Sequence, residues 1–346
     1  MGLFNNRNKV NNHEAVPVWF MRQAGRYHQH YQNLKKDHTF SELCKTPKLA
    51  CEVTMGPINE FGFDAAILFS DLLFPLEQLN LGLSYETGRP EIEYKLQDKE
   101  NFERLKQVTS SEQFYTFQKE ACELLKKELP ENKTLIGFIG SPFTLFTYGM
   151  EGSHTGQLRE TKKALYTGEY QKFCDILLPC LVDEAIMQLK GGADTIAIFD
   201  TAAGELCFKD FKKFLLPFLK TLTKEIKAFQ NDCKIIYYSK YTHLYYLEAI
   251  EDDNIDVLGV DWRNDIVNVV KTLGKNYYIQ GNIDPIWLHL PNEILLKNLE
   301  EYLTELKRGE IDFSKYIAGL GHGVTIQTPE KNVHDTVHYI QNNFLY

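Results

Sequence analysis

Two arginines and one aspartate are the residues of this sequence best suited to chemistry. Arg22 and Arg26 lie four residues apart in the segment MRQAGRY, residues 21–27, and Asp71 follows a second apolar run. Guanidinium groups bind carboxylates and phosphates through paired hydrogen bonds, and like charges at this spacing repel unless an anion lies between them. An aspartate at a strand end can stabilise positive charge at a reacting centre. The pattern indicates a site for a polyanionic small molecule that also needs one carboxylate.

The overall composition confines positive charge to a local site. The chain has 346 residues, of which 43% are hydrophobic and 25% are charged, and its net charge is −9. These proportions are ordinary for a soluble globular protein, and the negative charge argues against a general nucleic-acid-binding surface. No apolar run is long enough to span a bilayer, and residues 1–14 lack the apolar core of a secretory signal. We therefore expect a cytoplasmic protein that binds neither nucleic acid nor membrane.

The seven cysteines are scattered and form no Cys-x-x-Cys pair. An odd number without clustering is typical of free thiols in a reducing compartment. We expect them to behave as small buried hydrophobic residues.

Eight short apolar runs alternate with segments of helical periodicity. They lie at residues 18–21, 65–69, 135–139, 195–199, 234–238, 257–260, 277–280 and 316–320. Such runs are typical of strands buried on both faces. Eight of them predict an α/β fold, a single (β/α)8 TIM barrel over residues 1–346, with a short polar segment at residues 1–14. A doubly wound open sheet is the alternative, but it would require a glycine-rich phosphate loop after its first strand, and MRQAGRY is not one.

The segments between the runs predict helices. Thr46-Pro47 and Thr328-Pro329 each suit the start of a helix, whereas Pro179 and Pro217 should kink or interrupt theirs. The predicted helices cover residues 44–61, 113–129, 170–189, 211–229 and 293–307, with one more near the C-terminus. The polar stretch at residues 84–101 predicts an excursion or flap, and the helices after the fifth and sixth strands should be short.

Polar residues follow almost every predicted strand. In chain order they are Arg22 and Gln23, Asp71, Ser141, Asp200 and Thr201, Ser239 and Lys240, Asp261 and Arg263, Asn282 and Asp284, and His322. Catalytic groups of a (β/α)8 barrel lie at the C-terminal ends of its strands. The series therefore predicts a polar pocket lined by strand ends.

A set of motifs in a fixed order gives the chain a family resemblance. The motifs are PVWFMRQAGRY at residues 17–27, FSELC at 40–44, FSD at 69–71, TY at 147–148 with EG at 151–152, FDTAAG at 199–204, DWR at 261–263, QGNIDP at 280–285 and GHG at 321–323. Together they resemble the uroporphyrinogen decarboxylase family over nearly the whole chain. The resemblance implies a single (β/α)8 barrel, a homodimer, and a carboxy-lyase that uses no cofactor and no metal. The implied reaction removes CO2 from the four acetate side chains of uroporphyrinogen III and gives coproporphyrinogen III in heme biosynthesis.

The resemblance also assigns roles to individual residues. The implied substrate-binding set is Arg22, Gln23, Ala24, Gly25, Arg26, Lys35, Asp71, Tyr148, Thr201 and His322, and the implied catalytic set is Asp71, Arg22, Tyr148 and His322. The arginines would bind substrate carboxylates, and Asp71 would face the pyrrole N–H groups at the centre of the macrocycle. The proton donor is left open among Arg22, Tyr148, His322 and a bound water.

The sequence departs from the family pattern at several positions. The family commonly continues its arginine motif with Leu-Pro-Glu, where this chain has residues 28–30, His-Gln-His. With no acid or cysteine partner nearby, a metal site there is disfavoured, and we expect an exposed loop. Its histidines would gain positive charge below about pH 6.5. Further departures are the loop at residues 151–154, which reads Glu-Gly-Ser-His where the family has Glu-Gly-Gly, Ala202 in place of a bulky residue, and Tyr241 where glycine is common.

Other interpretations compete with this one. Asp71 could cap the helix that follows it, which is compatible with a catalytic role. A corrinoid-linked methyltransferase would share the barrel, but its thiol-activating zinc site needs His-x-Cys and a later cysteine, and the sequence has no His-x-Cys and no cysteine after Cys233. A porphyrinogen-binding relative without activity is the third possibility, although the retained Arg22, Asp71 and His322 argue against it.

Overall fold

The computed structural model describes residues 2–4, 9–86, 88–103, 105 and 112–346. Its strands are β1 (Lys9–Val10), β2 (His13–Glu14), β3 (Ala65–Ile67), β4 (Leu83–Ser84), β5 (Glu91–Ile92), β6 (Thr134–Gly140), β7 (Thr195–Asp200), β8 (Lys234–Ser239), β9 (Val257–Gly259), β10 (Tyr278–Ile283) and β11 (Tyr316–Leu320). Its α-helices are α1 (Gln29–Asp37), α2 (Phe40–Lys45), α3 (Pro47–Phe61), α4 (Phe74–Gln78), α5 (Lys99–Glu103), α6 (Thr116–Glu128), α7 (Pro142–Glu151), α8 (Arg159–Thr167), α9 (Glu169–Lys190), α10 (Phe208–Asp210), α11 (Leu216–Phe229), α12 (Leu244–Glu248), α13 (Ile266–Leu273), α14 (Asn292–Arg308) and α15 (Glu330–Asn343).

Seven parallel strands form the central sheet of the described residues. Their order is β11-β10-β9-β8-β7-β6-β3, so strands that follow one another along the chain are neighbours in the sheet. The longest register, between β7 and β8, runs from Thr195 opposite Lys234 to Asp200 opposite Ser239. Helices separate these strands, as parallel neighbours require. The predicted α/β architecture is confirmed, and these strands correspond to seven of the eight predicted ones.

The predicted first strand, residues 18–21, is not a strand of this sheet. Val18 makes an isolated parallel bridge to Ala318 of β11, whose N–H donates to Pro17 O at 2.9 Å. On the other side, the Asp64 N–H, just before β3, donates to Val18 O at 2.9 Å. The segment therefore lies between the two edges of a curled sheet, but it pairs too briefly with each to form a regular strand.

The inner face of the curled sheet is packed with side chains at every second position. In β7, Ala197 and Phe199 belong to this inner cluster, and in β8 Ile236 and Tyr238 do, as the two-residue period of a strand requires. The buried members of the cluster are Leu3, Trp19, Met21, Ala65, Ile67, Ile136, Phe138, Ala197, Phe199, Ile236, Tyr238, Val257 and Ile317. Because Trp19 and Met21 are among them, the segment between the sheet edges contributes to the same core.

Helix ends differ from the predictions where side chains cap them. The predicted helix 44–61 is divided at Thr46 into α2 and α3, and Pro47 is the first residue of α3. Thr46 caps α3 without a side-chain hydrogen bond. The reciprocal side-chain cap is formed instead by Thr39 and Glu42 at the start of α2, a signal that the sequence analysis overlooked.

The two internal prolines have different effects. α9 continues through Pro179 over 22 residues, so the helix is not interrupted there, and the alternative prediction of a kink stays a prediction. Pro217 lies in the first turn of α11, directly after a π-helical turn at Phe211–Leu215, and the predicted break in that helix is confirmed. A π turn before a proline is consistent with the lost hydrogen bond of its nitrogen.

The predicted excursion and the predicted short helices are both present. β4 and β5 form a separate antiparallel hairpin, with Leu83 opposite Ile92 and Ser84 opposite Glu91; residue 87, at its turn, lies outside the described residues. After β8 and β9, α12 has five residues and α13 has eight.

The N-terminal segment is less polar in its contacts than its composition suggests. Leu3 is fully buried in the inner cluster, and its N–H donates to Thr134 Oγ1 at 3.1 Å. Phe4 packs edge-on against Tyr278 at 5.3 Å. Since Thr134 and Tyr278 begin β6 and β10, these residues cover the N-terminal end of the inner core. Within the described parts of the chain, no helix combines the length and apolar character needed to cross a bilayer.

Candidate active site

Arg22, Asp71, Tyr148 and His322 come together beyond the C-terminal ends of the strands. Asp71 follows β3, Tyr148 lies in the helix after β6, and His322 follows β11. The charge of Arg22 acts on the other three side chains, and the charge of Asp71 also acts on Tyr148. Such electrostatic effects indicate neighbours, because charges interact strongly only at short range. The four residues of the predicted catalytic set therefore share one region, which we call the strand-end cluster.

Arg22 has an uncommon backbone conformation. Its φ of 57° lies in the left-handed region, which costs a non-glycine residue on the order of 1–2 kcal/mol. Its side chain passes over Gly323, where a Cβ would lie only 2.5 Å from Arg22 Cδ. The Val324 N–H donates to Met21 O at 2.9 Å and joins the two segments. The second glycine beside His322 is thus explained by the space that Arg22 needs.

Gln23 has a structural role that the sequence analysis missed. Its side chain is fully buried; Nε2 donates to Ala65 O at 3.1 Å, and Oε1 accepts from Ile67 N at 3.4 Å. Both partners belong to β3, the edge strand beside the arginine segment. The Gln23 amide therefore takes the place of strand pairing with β3, and its predicted role in lining the pocket stays a prediction.

The other residues of the arginine segment lie nearer the surface. Arg26 is exposed, and its charge acts on Tyr31 in α1. Ala24 packs against a small cluster that includes Tyr31, and Gly25 O accepts from His28 N at 2.9 Å. Lys35 is exposed in the last turn of α1. The substrate-binding roles of these four residues remain predictions.

Asp71 combines a structural and an electrostatic role. Its Oδ1 accepts the Leu73 N–H at 2.8 Å, in the turn that leads into α4, so the predicted capping role is present in this form. Burial raises the pKa of Asp71 to about 6, against the hydrogen bond from Leu73 and the charge of Arg22, which lower it. A carboxylate with such a pKa is ionised at neutral pH and protonated in mild acid.

Tyr85 brings the β4–β5 hairpin over Asp71. Its ring packs against Phe40 of α2 at 4.8 Å between centroids, and Phe40 packs in turn against Phe69. The hydroxyl is close enough to favour ionisation of Asp71, although it is buried and lacks standard hydrogen-bond geometry to any described residue. The predicted excursion therefore covers one side of the strand-end cluster.

Tyr148 is paired with a histidine that the predicted site did not include. The His154 Nδ1 and Tyr148 Oη atoms are 2.6 Å apart. Burial raises the pKa of Tyr148 to about 12. Burial and the charges of Lys240 and Arg22 lower the pKa of His154 to about 4. Both side chains are therefore neutral at physiological pH.

His322 is also neutral in this site. Burial, followed by the charges of Arg22 and Lys240, lowers its pKa to about 3. Its ring stacks with Tyr238 at 6.1 Å, and the Tyr238 hydroxyl donates to Gly321 O at 2.8 Å. His322 Nδ1 is buried and has no hydrogen-bond partner among the described residues. The His322 imidazolium is therefore poorly suited to donate a proton, because almost none is present near pH 7.

Lys240 and Arg263 supply the remaining positive charge of the cluster. Both act on His322. Arg263 donates to Asp261 Oδ2 at 3.2 Å, and its guanidinium lies 4.0 Å from the centre of the Tyr241 ring. The Lys240 Nζ atom lies 4.4 Å from the same ring. Both cations appeared among the polar residues that follow the predicted strands, which was the signal that could have added them to the predicted site.

Tyr241 adopts the conformation that explains why glycine is common at its position. Its φ is 62°, and its N–H donates to the buried Asp261 Oδ2 at 2.7 Å. With this backbone conformation, the Tyr241 ring lies beside both Lys240 and Arg263. This departure from the family pattern therefore gives both cations a cation–π contact.

Thr201 lies beside a buried carboxylate that connects three elements. Asp200, at the end of β7, accepts from the Thr144 hydroxyl of α7 at 2.8 Å and from the Tyr237 hydroxyl of β8 at 3.0 Å. Burial raises the pKa of Asp200 to about 6, against these hydrogen bonds. Thr201 itself is partly buried, and its contact with substrate remains a prediction.

His28 and His30 do not form the expected exposed loop. His28 is fully buried, and its Nε2 lies 2.7 Å from Glu60 Oε2. His30 Nε2 lies 3.2 Å from a backbone carbonyl of α3. The expectation that no acid lies nearby was wrong because α3, distant in sequence, supplies Glu60. A metal ion could be held by His28, Glu60 and Glu330, whose ligand atoms lie within 4.8 Å of one another. The hydrogen bond between His28 and Glu60 already explains why these two side chains are close, without a metal ion.

A separate cavity of about 740 Å³ lies against α3 and α6. Its lining residues are His30, Lys48, Cys51, Glu52, Met55, Gly56, Asn59, Glu60, Leu124 and Glu128. Three glutamates against one lysine do not suit a substrate with many carboxylates, and no member of the strand-end cluster lines this cavity.

The prediction that the cysteines are free and mostly buried is confirmed. All seven cysteines are described and free, and six of them are buried.

Comparisons with known proteins match this arrangement to one family. The model of the family described as uroporphyrinogen decarboxylase (URO-D) matches residues 4–342. The chain is 36% identical over 336 residues to uroporphyrinogen decarboxylase of Chloroflexus aurantiacus, covering 95% of this chain and 92% of the relative. It is 36% identical over 330 residues to the protein of that name from Thermodesulfovibrio yellowstonii, covering 94% of each.

A solved structure shows the same fold at low identity. A methyltransferase from Methanosarcina mazei superposes with a TM-score of 0.76 and 17% identity, covering 96% of this chain and 94% of that one. At this identity the likeness concerns the fold alone. The family model and the curated relatives, by contrast, span nearly the whole chain, and the chain therefore belongs to the uroporphyrinogen decarboxylase family.

Proposed function

We propose that this protein decarboxylates the acetate side chains of uroporphyrinogen in tetrapyrrole biosynthesis, giving coproporphyrinogen. The observation that carries the proposal is one ionisable carboxylate, Asp71, among the cations Arg22, Lys240 and Arg263. This charge pattern fits a molecule with a ring of N–H groups at its centre and carboxylates at its rim. Family membership supports the same substrate.

The reaction needs an acceptor for the electron pair of the broken bond. When an acetate arm loses CO2, the electrons of the C–C bond remain on the carbon attached to the ring. A pyrrole that has first been protonated on a ring carbon is an iminium-like acceptor for this pair. The exocyclic methylene that results takes up a second proton and becomes a methyl group, and the first proton leaves the ring carbon, which restores the pyrrole. The substrate thus supplies its own electron sink, and we propose that no cofactor is required.

Asp71 is proposed to stabilise the protonated ring. Its carboxylate would accept the pyrrole N–H groups, and its negative charge would favour the ring cation more than the neutral ground state. The turn at Leu73 and the Arg22 charge hold this carboxylate in place before substrate binds. Such a preorganised charge typically contributes a few kcal/mol to catalysis.

The cations are proposed to position the acid arms, which is catalysis by orientation. The low pKa values of His154 and His322 favour Arg22, Tyr148 or a bound water over an imidazolium as the proton donor. His322, whose Nδ1 has no hydrogen-bond partner among the described residues, is proposed to hydrogen-bond the substrate in its neutral form.

We also propose that the segment at residues 18–21 completes a (β/α)8 barrel, in a single domain that assembles as a cytoplasmic homodimer. Backbone hydrogen bonds to Asp64 on one side and Ala318 on the other support the closure, as do Trp19 and Met21 in the inner core. Hydrogen exchange tests it, because slow exchange of the Trp19 and Asp64 amides is expected only if both pairings persist. Light scattering of the purified protein should give twice the mass of 40.1 kDa.

The activity is tested by an anaerobic assay of purified protein with uroporphyrinogen. We expect conversion to coproporphyrinogen, with unchanged rate after dialysis against a chelator. Loss of activity on chelation, restored by zinc, would overturn the metal-free mechanism. Binding of substrate without any release of CO2 would assign the protein to the non-enzymatic relatives.

A further inference from the structure

Gln118 of α6 lies behind the turn that carries Asp71. This turn begins where β3 ends, and two neighbouring helices contact it through side chains. The Phe69 N–H donates to Thr54 Oγ1 of α3 at 2.9 Å, and Ser70 Oγ lies 3.0 Å from Gln118 Nε2. Because Ser70 immediately precedes Asp71, the Gln118 amide contacts the turn one residue away from the proposed catalytic carboxylate.

The backbone of β6 determines which way the Gln118 amide points. Gln188 of α9 makes two hydrogen bonds to Phe138: its Oε1 accepts the N–H at 2.6 Å, and its Nε2 donates to the carbonyl oxygen at 2.9 Å. Since a backbone N–H only donates and a carbonyl oxygen only accepts, the Gln188 amide has one possible orientation. Its Nε2 also donates to Gln118 Oε1 at 3.1 Å. Gln118 therefore presents its NH2 group, and not its oxygen, to Ser70.

Glu184 of α9 accepts the other hydrogen of the same NH2 group. Its Oε1 accepts from Gln118 Nε2 at 2.9 Å, and its side chain is fully buried. Burial raises the pKa of Glu184 well above its usual range, against the hydrogen bond from Gln118, and the charge of Asp71 adds to the increase. A neutral Glu184 thus holds Gln118 without placing a second negative charge beside Asp71.

We propose that Gln118 is a positioning residue that holds the Asp71 turn through Ser70, an inference that rests on the proposed decarboxylase function. The amide uses its oxygen for Gln188 and one hydrogen for Glu184, so its remaining hydrogen has a fixed direction toward Ser70. The turn after β3 is thereby joined to α6, α9 and β6. A turn released from this contact would move the Asp71 carboxylate relative to the pyrrole N–H groups, and displacements of about 1 Å are costly in catalysis.

A double-mutant cycle with Asp71 on purified full-length protein tests this role. Gln118→Met keeps the approximate bulk of the side chain and removes its hydrogen bonds. We expect kcat to fall about tenfold, with KM changed less than about twofold. In the Asp71→Asn background, the same substitution should change kcat less than about twofold, because the charge that Gln118 positions is already absent. A tenfold loss that persists in this background, or wild-type kcat in Gln118→Met, would overturn the proposal.

Thr223→Val is the matched control for the loss of a buried hydrogen bond. The fully buried Thr223 of α11 donates to Asp252 Oδ2 at 2.6 Å, before the start of β9 and thus toward the opposite end of the strands. This variant should lose stability to urea but keep wild-type kcat, and a loss of kcat equal to that of Gln118→Met would contradict a specific role. If Gln118→Met fails to fold, Ser70→Ala removes the same hydrogen bond from the other side, and wild-type kcat in that variant would overturn the proposal.

Crystal structures of the wild type and of Gln118→Met give a readout that does not depend on turnover. We expect the Asp71 carboxylate of the variant to be displaced by about 1 Å or more, and an unchanged position would overturn the proposal. A wild-type protein that does not decarboxylate uroporphyrinogen refutes the proposed function instead, and the two structures still decide whether Gln118 positions the turn.

Discussion

At the residue scale, Asp71 serves both the turn before α4 and the proposed chemistry, and substitution separates the two roles. Asp71→Asn keeps an oxygen that can accept the Leu73 N–H but removes the charge. We expect kcat to fall roughly 10²- to 10³-fold with a smaller change in KM, measured in the anaerobic assay. Wild-type turnover in this variant would show that Asp71 is only a structural turn residue.

The pKa of Asp71 predicts the acid side of the pH profile. Burial raises it to about 6, so the carboxylate that the mechanism requires is lost as the pH falls below 6. We expect kcat/KM of the wild type, which reports the free enzyme, to drop about tenfold per unit below this value. In Asp71→Asn the residual rate should lack this limb, and a limb that persists would assign the titration to another group such as Asp200.

Arg26 is predicted to act through long-range charge. The protein carries a net charge of −9, and the proposed substrate is polyanionic, so exposed cations near the site should assist binding in a salt-dependent way. Arg26→Ala should raise KM and flatten its dependence on ionic strength between 20 and 300 mM salt. Arg308→Ala, at the C-terminal end of α14, is the matched control, since that exposed residue lies toward the opposite end of the strands. Equal effects of the two variants would contradict the prediction.

Sequence order was sufficient to identify some site residues and insufficient for others. Arg22, Asp71 and His322 could be proposed as site residues because each lies within two positions of the end of an apolar run, and strand ends converge in a barrel of parallel strands. His154 could not, because it lies in a loop after a helix and reaches Tyr148 only because Gly152 ends α7 and reverses the chain. His28 was misassigned because hydrophilicity does not reveal a carboxylate that tertiary packing brings to a buried imidazole.

At the scale of elements, the arginine segment is joined to β3 by the Gln23 side chain, which replaces the backbone hydrogen bonds of a regular strand pair. Gln23→Leu keeps the approximate shape but leaves Ala65 O and Ile67 N without their partners. We expect a loss of about 1–3 kcal/mol in the free energy of unfolding, measured by urea denaturation. Gln171→Leu, on an exposed turn of α9, should change it by less than about 0.5 kcal/mol. A Gln23→Leu protein as stable as the wild type would show that the two hydrogen bonds contribute little.

The contact between the arginine segment and α3 should not influence substrate affinity. The His28 side chain is buried against Glu60 of α3, and not against the strand-end cluster. We expect His28→Leu, which restores the residue common in the family, to leave the pH profile of KM unchanged between pH 5.5 and 8. A KM that rises at pH 5.5 in this variant alone would show that the imidazole does assist binding.

Hydrophobic periodicity predicted those strands and helices whose position depends on the local sequence. Seven strands were predicted correctly because a strand that is buried on both faces requires a continuous apolar run. The first was overestimated, since residues 18–21 have the composition of a strand but lie where the curled sheet meets its own edge. There, Gln23 and the turn at Arg22 replace ladder hydrogen bonds, and neither effect can be detected from composition.

At the scale of the whole molecule, the inner core depends on a residue that composition assigned to a polar tail. Leu3 is fully buried among the strands. We expect Leu3→Ala to lower the free energy of unfolding by about 2 kcal/mol or more, as for other buried leucines, with kcat unchanged because the active site lies at the other end. Ile286→Ala, at a side chain that is 57% exposed, provides the control in thermal unfolding. Equal melting temperatures for both variants would indicate that residues 2–4 do not pack stably.

The bridge from Val18 to Ala318 has a consequence for how the protein is made. The two residues are 300 positions apart, and ribosomes add roughly 5–20 residues per second, so Val18 waits about 15–60 s before its partner is synthesised. Glu14 and Tyr346 also exchange backbone hydrogen bonds, which brings residues from both extremes of the chain side by side. During translation, Trp19 and Met21 therefore lack their final neighbours in β11 until the end of synthesis, and this is the interval in which exposed apolar side chains favour aggregation.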